Sequence, residues 1–194
     1  MAIENLNLTK NEVSQDIDLE EIVGREVPTA IAVAIGQEII DRIIERTEDG
    51  KANNNRSFPA AKNNAKGSKY SESYVDSLEF KAFGKSKNPI NMTLSGGMLE
   101  SIDILEVEGG RLKIGIDDDV EAAKAYGHMT GMEGHPTLQG KVKPRQFFGV
   151  TYSEIRDIVS RYDIPEEEPQ TAADIFEAID FFQSVASIFG RENG

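Results

Sequence analysis

The chain has 194 residues, of which 39% are hydrophobic and 28% are charged, and its formal net charge at pH 7 is −13. This length fits one domain with appendages, and we expect neither a membrane span nor a signal peptide, because no apolar run reaches roughly 18 residues and residues 1–10 lack a basic and then apolar pattern. The absence of cysteine excludes disulfides, zinc–thiolate sites and cysteine nucleophiles.

The negative charge is concentrated at the two ends of the chain. Residues 1–27 hold seven acids and two bases, residues 163–194 hold eight acids and one base, and residues 28–162 are nearly neutral. Such ends are not attracted to nucleic-acid phosphates, which Lys and Arg must neutralise. Two interpretations stay open: solubility alone, or a surface that contacts basic proteins or lets DNA slide past.

The first predicted elements are an arm and a helix. Residues 1–20 show no firm period, and we expect an extended arm that is ordered only against a partner. A helix is predicted from Pro28, which suits a first helical turn, to about Thr47, with Gly50 closing it. Its apolar stripe consists of isoleucines at helical spacing: Ile31, Ile35, Ile39 and Ile43, with Ile40 and Ile44 beside them.

A basic loop and a segment of mixed spacing follow this helix. Residues 51–69 carry five bases and no acid, which predicts a long irregular loop that is either solvated or in contact with DNA phosphate or an acidic protein. Residues 70–84 fit a short helix or an irregular segment.

A β-hairpin is the clearest element of the middle of the chain. Gly109 and Gly110 supply the positive φ that a two-residue turn of the primed type needs. The predicted register pairs Val107 with Leu112 and Leu105 with Ile114, and Ile116 continues that apolar face. The charged residues of the other face, where opposite charges can pair across the strands, are Glu106, Glu108, Arg111 and Lys113.

Three aspartates, at 117–119, precede a predicted short helix over 119–127. An Asp at this position caps a helix and complements its dipole, although a triple Asp can also bind a divalent cation. Further helices are predicted over 152–162 and, after the acidic linker 163–170, over 174–189 with an amphipathic face.

The glycine-punctuated stretch 125–151 contains both histidines. His128 and His135 are seven residues apart, which matches no common zinc spacing, and a metal site there would also need Glu133 or the aspartates. The stretch is better interpreted as architecture. Arg145 can grip a carboxylate or a row of carbonyls, within one subunit or between two, and the aromatic pair that follows it can anchor the loop in the core.

Several segments, in this order, resemble one family. An amphipathic helix ends in DRIIERTEDGK, TLSGGMLESIDI leads into the hairpin, and IGIDDDVEAAKAYGHMTG and VKPRQFFGVTYSEIRDIV follow it. This order over residues 30–162 resembles the tail-completion or neck proteins of tailed bacteriophages, the group of Mu-type virion morphogenesis and lambda gpZ-like proteins. Proline directly precedes arginine here, whereas the family usually has a small residue between them. The matching interface or structural candidates are Gly97, Leu99, Tyr126, His128, Gly131, Pro144, Arg145, Phe147 and Phe148.

The resemblance implies a fold, a location and a set of partners. It implies an α+β subunit, with a long N-terminal helix packed on a small antiparallel sheet that has a central hairpin, between extended terminal arms. Copies would form a ring in the virion neck, between the connector or head-closure proteins and the tail terminator or tube, after assembly in the host cytoplasm. DNA would pass through the lumen without sequence-specific binding. The family has no enzymatic role, needs no cofactor or metal, and has no membrane partner.

Two other functions stay open at the level of sequence. The chain can be a tail terminator or a head-closure ring protein, which changes its position in the particle. It can also be a small metal-dependent hydrolase that uses His128, His135 and the aspartates at 117–119.

Overall fold

The computed structural model describes residues 3–61, 63–92, 96–133 and 142–165. The chain divides into two compact units, Met1–Ile164 and Pro165–Gly194. The predicted helix over 174–189 lies outside the described residues, and so do His135 and most of the acidic linker.

The first unit has the α+β architecture that the sequence predicts. Four antiparallel strands form one sheet in the order β1-β2-β4-β3, and the long helix α2 packs on β3 and β4. The strands are β1 (Leu6–Leu8), β2 (Val13–Asp18), β3 (Asp103–Glu108) and β4 (Arg111–Ile116). The described helices are α1 (Leu19–Val23), α2 (Thr29–Glu48), α3 (Glu72–Val75), α4 (Leu78–Ala82), α5 (Gly97–Glu100), α6 (Asp119–Thr130) and α7 (Tyr152–Val159).

Helix α2 follows its predicted bounds and buries four of the six isoleucines in its predicted stripe, whereas Ile31 and Ile44 are half-buried. Pro28 is the N-cap residue, and the chain leaves the helix through Gly50, whose φ is +74°. Ile35, Ile39 and Ile43 are essentially fully buried, and each contributes about 1.5–3 kcal/mol by leaving water. Gly36 lets the helix approach the sheet closely, because a Cβ atom there would lie 2.8 Å from Ile104 Cδ1.

The expectation of a partner-dependent arm over residues 1–20 is wrong. Strand β2 lies inside the sheet, with β1 on one side and β4 on the other. Val13 and Ile17 are buried, so the N-terminal segment completes the core of its own subunit. Residues 3–27 therefore belong to the same unit as the helix that follows them, and the acidic N-terminus is not an appendage.

The hairpin has the predicted turn but only part of the predicted register. Val107 pairs with Leu112 as expected, whereas Ile104 takes the place opposite Ile114 that was predicted for Leu105. A β-bulge between Ile104 and Glu106 causes this shift, because it places two residues of one strand opposite one residue of the other.

The hairpin's basic side chains pair with acids outside the hairpin. Lys113 Nζ lies 2.9 Å from Glu12 Oε1, and Arg111 Nε lies 3.1 Å from Asp18 Oδ2. The register still places Glu106 opposite Lys113 and Glu108 opposite Arg111, as predicted, and the ion pairs with the N-terminal segment add to this arrangement. Both pairs are at the surface, where such bridges contribute about 1 kcal/mol or less.

Two helix ends differ from their predicted positions. Helix α6 continues through Gly127 to Thr130 and is capped by Gly131, whose φ of +73° suits a C-cap glycine. Helix α7 ends at Val159 rather than at 162. At the start of α6 the Asp118 carboxylate accepts hydrogen bonds from the backbone N–H groups of Val120 and Glu121, which confirms the capping interpretation for this aspartate.

Candidate functional site

The Pro-Arg-Phe segment, residues 144–149, enters the interior at Phe147. Phe147 and Phe148 are fully buried, and their rings meet edge to face with centroids 6.3 Å apart. This placement agrees with the core-packing interpretation of the aromatic pair. Arg145 and Pro144 remain nearer the surface.

A buried arginine of α2 holds this segment in place. Arg46 donates hydrogen bonds to the carbonyl oxygens of Phe147 (3.0 Å) and Gly149 (2.6 Å). It also pairs with Glu154 Oε1 at 3.0 Å, and its side chain is only 3% exposed. Burial lowers the pKa of Arg46, and the Glu154 carboxylate opposes that shift. Arg46 therefore has the role, gripping carbonyls and a carboxylate, that the sequence suggested for Arg145.

Two buried amides complete the support of the segment. Gln15 donates to the carbonyl of Val150 and accepts from the N–H of the same residue, both at 2.9 Å. Asn53 Nδ2 donates to the carbonyl of Phe148 at 3.1 Å. Because buried backbone groups need partners, these side chains fix the path of a segment that has no strand or helix of its own.

Sequence reasoning missed Arg46, Gln15 and Asn53. A signal for Arg46 was present, because it lies three residues after Ile43 and seven after Ile39, on the apolar face of the helix. Gln15 and Asn53 stand in segments without a helical period, and nothing local marks either amide as buried.

The other candidates lie around the end of α6. Gly131 needs to be a glycine, since a Cβ atom there would lie 2.6 Å from the carbonyl oxygen of Val142 and 3.0 Å from Pro144 Cδ. The N–H of Arg145 donates to the carbonyl of His128 at 2.7 Å. His128, Gly131, Pro144 and Arg145 are therefore brought together by a backbone hydrogen bond and by the close approach of Pro144 to Gly131.

The remaining candidates have structural positions. Gly97 begins α5, Leu99 is buried in the core, and α5 packs on α6. The carbonyl of Tyr126, a half-buried residue, accepts a hydrogen bond from Thr130 Oγ1 at 2.8 Å. These three residues do not converge on one reactive group.

His128 and Arg145 face a cavity of about 690 Å³. Its walls include Tyr70 and Tyr74, whose ring centroids lie 5.4 Å apart. The apolar part of the lining is provided by Pro59, Ala60, Ala61, Met92, Met98 and Met132. The charged part consists of Lys85, Lys124, Lys143, Arg145 and Glu121. Its volume falls within the range of small-molecule and cofactor pockets, about 300–1,000 Å³.

Positive charge dominates the electrostatics of this cavity. Burial and the charges of Arg145 and Lys85 lower the pKa of His128 from 6.5 to about 4, so its imidazole is neutral at pH 7. Burial and Arg145 likewise lower the pKa of Lys85 to about 8. Lys85 Nζ lies 5.5 Å from the centre of the Tyr70 ring, a cation–π distance.

Three polar atoms of cavity-lining residues are buried without a hydrogen-bond partner among the described residues: Arg145 Nε, His128 Nδ1 and Glu121 Oε2. The first is a donor and the last an acceptor, whereas the imidazole nitrogen is either, depending on its tautomer. The other oxygen of Glu121 accepts from Lys124 Nζ at 2.6 Å.

The described residues were also compared with the requirements of a metal site and of a membrane-spanning helix. Within ranges 3–61, 63–92, 96–133 and 142–165, no three His, Asp or Glu side chains cluster as metal ligands would. Among the helices of those ranges, none is both long and apolar enough to cross a bilayer.

No protein-family model, curated protein or solved structure matches this chain. The geometry and the motif order are therefore the basis for the proposals that follow.

Proposed function

We propose that this chain is a structural subunit of a tailed-bacteriophage neck, where copies form a ring that joins the DNA-filled head to the tail. The proposal rests first on the ordered segments between Ile31 and Val159 that resemble tail-completion proteins. It names copies of this chain, the connector or head-closure proteins, and the tail terminator or tube as partners. DNA passes through the lumen, and the protein acts in the virion without a cofactor or an enzymatic step.

The observation that carries this proposal is the cluster around Arg46. One side chain from the DRIIERT segment binds the carbonyls of the PRQFFG segment and the carboxylate of Glu154 in the TYSEI segment. Two of the four resembling segments, DRIIERTEDGK and VKPRQFFGVTYSEIRDIV, thus meet in one hydrogen-bonded centre. Segments that are far apart in sequence and share such a centre support a resemblance of the whole domain, rather than of separate short motifs.

Exposed apolar groups are consistent with a subunit that associates with copies of itself. Leu78 is 83% exposed and Phe83 is 58% exposed, and they stand at the two ends of α4. Single exposed apolar side chains are ordinary, but two large ones on one short helix suit a contact that closes by rotation around a ring.

The experiment is imaging of particles assembled with and without this chain. Separate heads and tails in its absence, joined again when the chain is supplied, would support the proposal. Normal joining in its absence would refute it. The position of the density in complete particles distinguishes a neck ring from a head-closure ring beneath the connector and from a terminator on the last tail-tube ring.

A further inference from the structure

We propose that the cavity between α6 and the tyrosine cluster binds an acidic peptide segment of a neighbouring protein, with a carboxylate against Arg145 and apolar side chains against the methionines. The ligand class is argued from the cavity alone. That the segment comes from a neighbouring subunit of the ring rests on the proposed function.

The net positive charge of the described lining residues favours a negatively charged ligand. These residues include four cations and one acid, Glu121, whose Oε1 is already paired with Lys124. Burial is the main cause of the lowered pKa values of Lys85 and His128, and the charge of Arg145 adds to both shifts. Arg145 is half-buried, whereas Lys143 is exposed and the Lys124 side chain is 52% exposed. A carboxylate that enters beside Arg145 is attracted by these cations, and the forked guanidinium can bind it through two parallel hydrogen bonds.

The polar atoms that have no partner among the described residues favour a peptide over a fully ionised anion. An anion such as sulfate or glutarate offers only acceptors, which suit Arg145 Nε but not Glu121 Oε2. A peptide offers N–H donors and C=O acceptors along with its side chains. Both kinds of unpartnered atom can therefore be satisfied by one ligand.

The apolar walls are suited to side chains rather than to a flat ligand of fixed shape. Met92, Met98 and Met132 line the same cavity, and methionine adapts to irregular apolar partners because its side chain is unbranched and polarizable. The expected ligand is thus a carboxylate flanked by apolar side chains.

The test uses the full chain and a labelled, end-blocked hexapeptide, Leu-Phe-Glu-Ile-Asp-Leu, with its amide counterpart Leu-Phe-Gln-Ile-Asn-Leu as the matched control. Fluorescence anisotropy should show binding of the acidic peptide at least about 10-fold tighter than of the amide, the difference expected for one charge-assisted hydrogen bond. Equal affinities, or no binding of either peptide, would overturn the proposal.

Variants locate the binding. Arg145→Gln should remove most of the difference between the two peptides, and Lys143→Gln, an exposed cation of the lining, should reduce it without affecting folding. Arg42→Gln, an exposed cation outside the lining, should leave it unchanged. A preference that survives both lining variants would place binding elsewhere and refute the proposal.

Two further measurements distinguish this inference from its alternatives. If glutarate competes at the same concentration as the acidic peptide, the cavity is a site for small carboxylates, and the proposal of a peptide ligand is overturned. In NMR, the imidazole Cε1–H signal of His128, assigned with a His135→Gln variant, should shift with the acidic peptide, and an unmoved signal would contradict the geometry. Peptide binding together with normal head–tail joining in the chain's absence would retain the ligand class and reject the proposed function.

Discussion

Replacing Arg46 with methionine should destabilise the protein by about 3–5 kcal/mol. Methionine keeps the apolar stem but removes the charge, so the carbonyls of Phe147 and Gly149 and the Oε1 atom of Glu154 lose their hydrogen bonds from Arg46. Glu154 Oε2 keeps its hydrogen bonds from Thr151. Hydrogen bonds to charged groups each contribute about 1.5–3 kcal/mol, but they are not additive within one cluster. Removing one member of a buried pair typically costs about 3–5 kcal/mol, which is the value we adopt.

Urea unfolding followed by circular dichroism at 222 nm measures this loss. With a dependence of about 2 kcal/mol per molar urea, the midpoint should fall by roughly 2 M. The matched control is Arg42→Met, because Arg42 is exposed one turn earlier on the same helix and its replacement should cost less than about 0.5 kcal/mol. If both variants lose the same small amount, Arg46 does not hold the 144–149 segment and the reasoning fails.

Three further predictions concern other parts of the unit. Gln15→Glu is nearly isosteric, but it removes the donor to the carbonyl of Val150 and buries a charge. Urea unfolding at pH 7 should therefore show that the free energy of unfolding decreases by about 2–4 kcal/mol. A decrease below about 1 kcal/mol would contradict this. The pKa of His128 is lowered from 6.5 to about 4 in the folded protein. Between these pH values the unfolded chain binds a proton that the folded chain does not, so the free energy of unfolding decreases as the pH falls. At pH 5.0 the resulting loss in the free energy of unfolding is about 2 kcal/mol. His128→Gln should abolish this loss at pH 5.0 and change the free energy of unfolding little at pH 7.5. If the variant keeps the pH dependence of the wild type, His128 is not its source. Serine at both Leu78 and Phe83 should reduce ring formation in native mass spectrometry without lowering the unfolding midpoint, and undiminished rings would exclude α4 from the subunit contact.

The sequence predicts best the elements whose signals are local. Helix α2 has its isoleucines at a spacing that no other element explains, and its bounds agree within about a residue. The Gly109-Gly110 turn likewise follows from backbone sterics alone. The register beyond Lys113 does not follow from local sequence. The β-bulge at Leu105 is next to Ile104, which lies close to Gly36 of α2, and this packing is a tertiary contact.

Strand β2 was missed because its burial does not alternate. Val13, Ser14 and Gln15 are all buried, since Gly115 of the neighbouring strand leaves room for Ser14 and the core supplies partners for Gln15. A Cβ atom at Gly115 would lie 2.6 Å from the carbonyl oxygen of Val13. Polar residues with such partners carry no apolar period, so an N-terminal strand resembled an unattached arm.

The sequence did not predict the cavity. It singled out two of the lining residues, His128 and Arg145, from one short stretch, and the fold brings them together. Lys85 and Tyr70, which set the charge and shape around them, come from segments that offered no spacing to interpret. Burial by tertiary contacts, rather than any motif, lowers the pKa of His128 and leaves its Nδ1 atom without a described partner.

The most direct test of the proposed function is a reconstruction of the head–tail junction from particles that contain this chain. The proposal predicts several copies of the described unit arranged as a closed ring around the DNA channel, each recognisable by α2 lying across a four-stranded sheet. A junction complete without this density, or the density at a site remote from the channel, would contradict it.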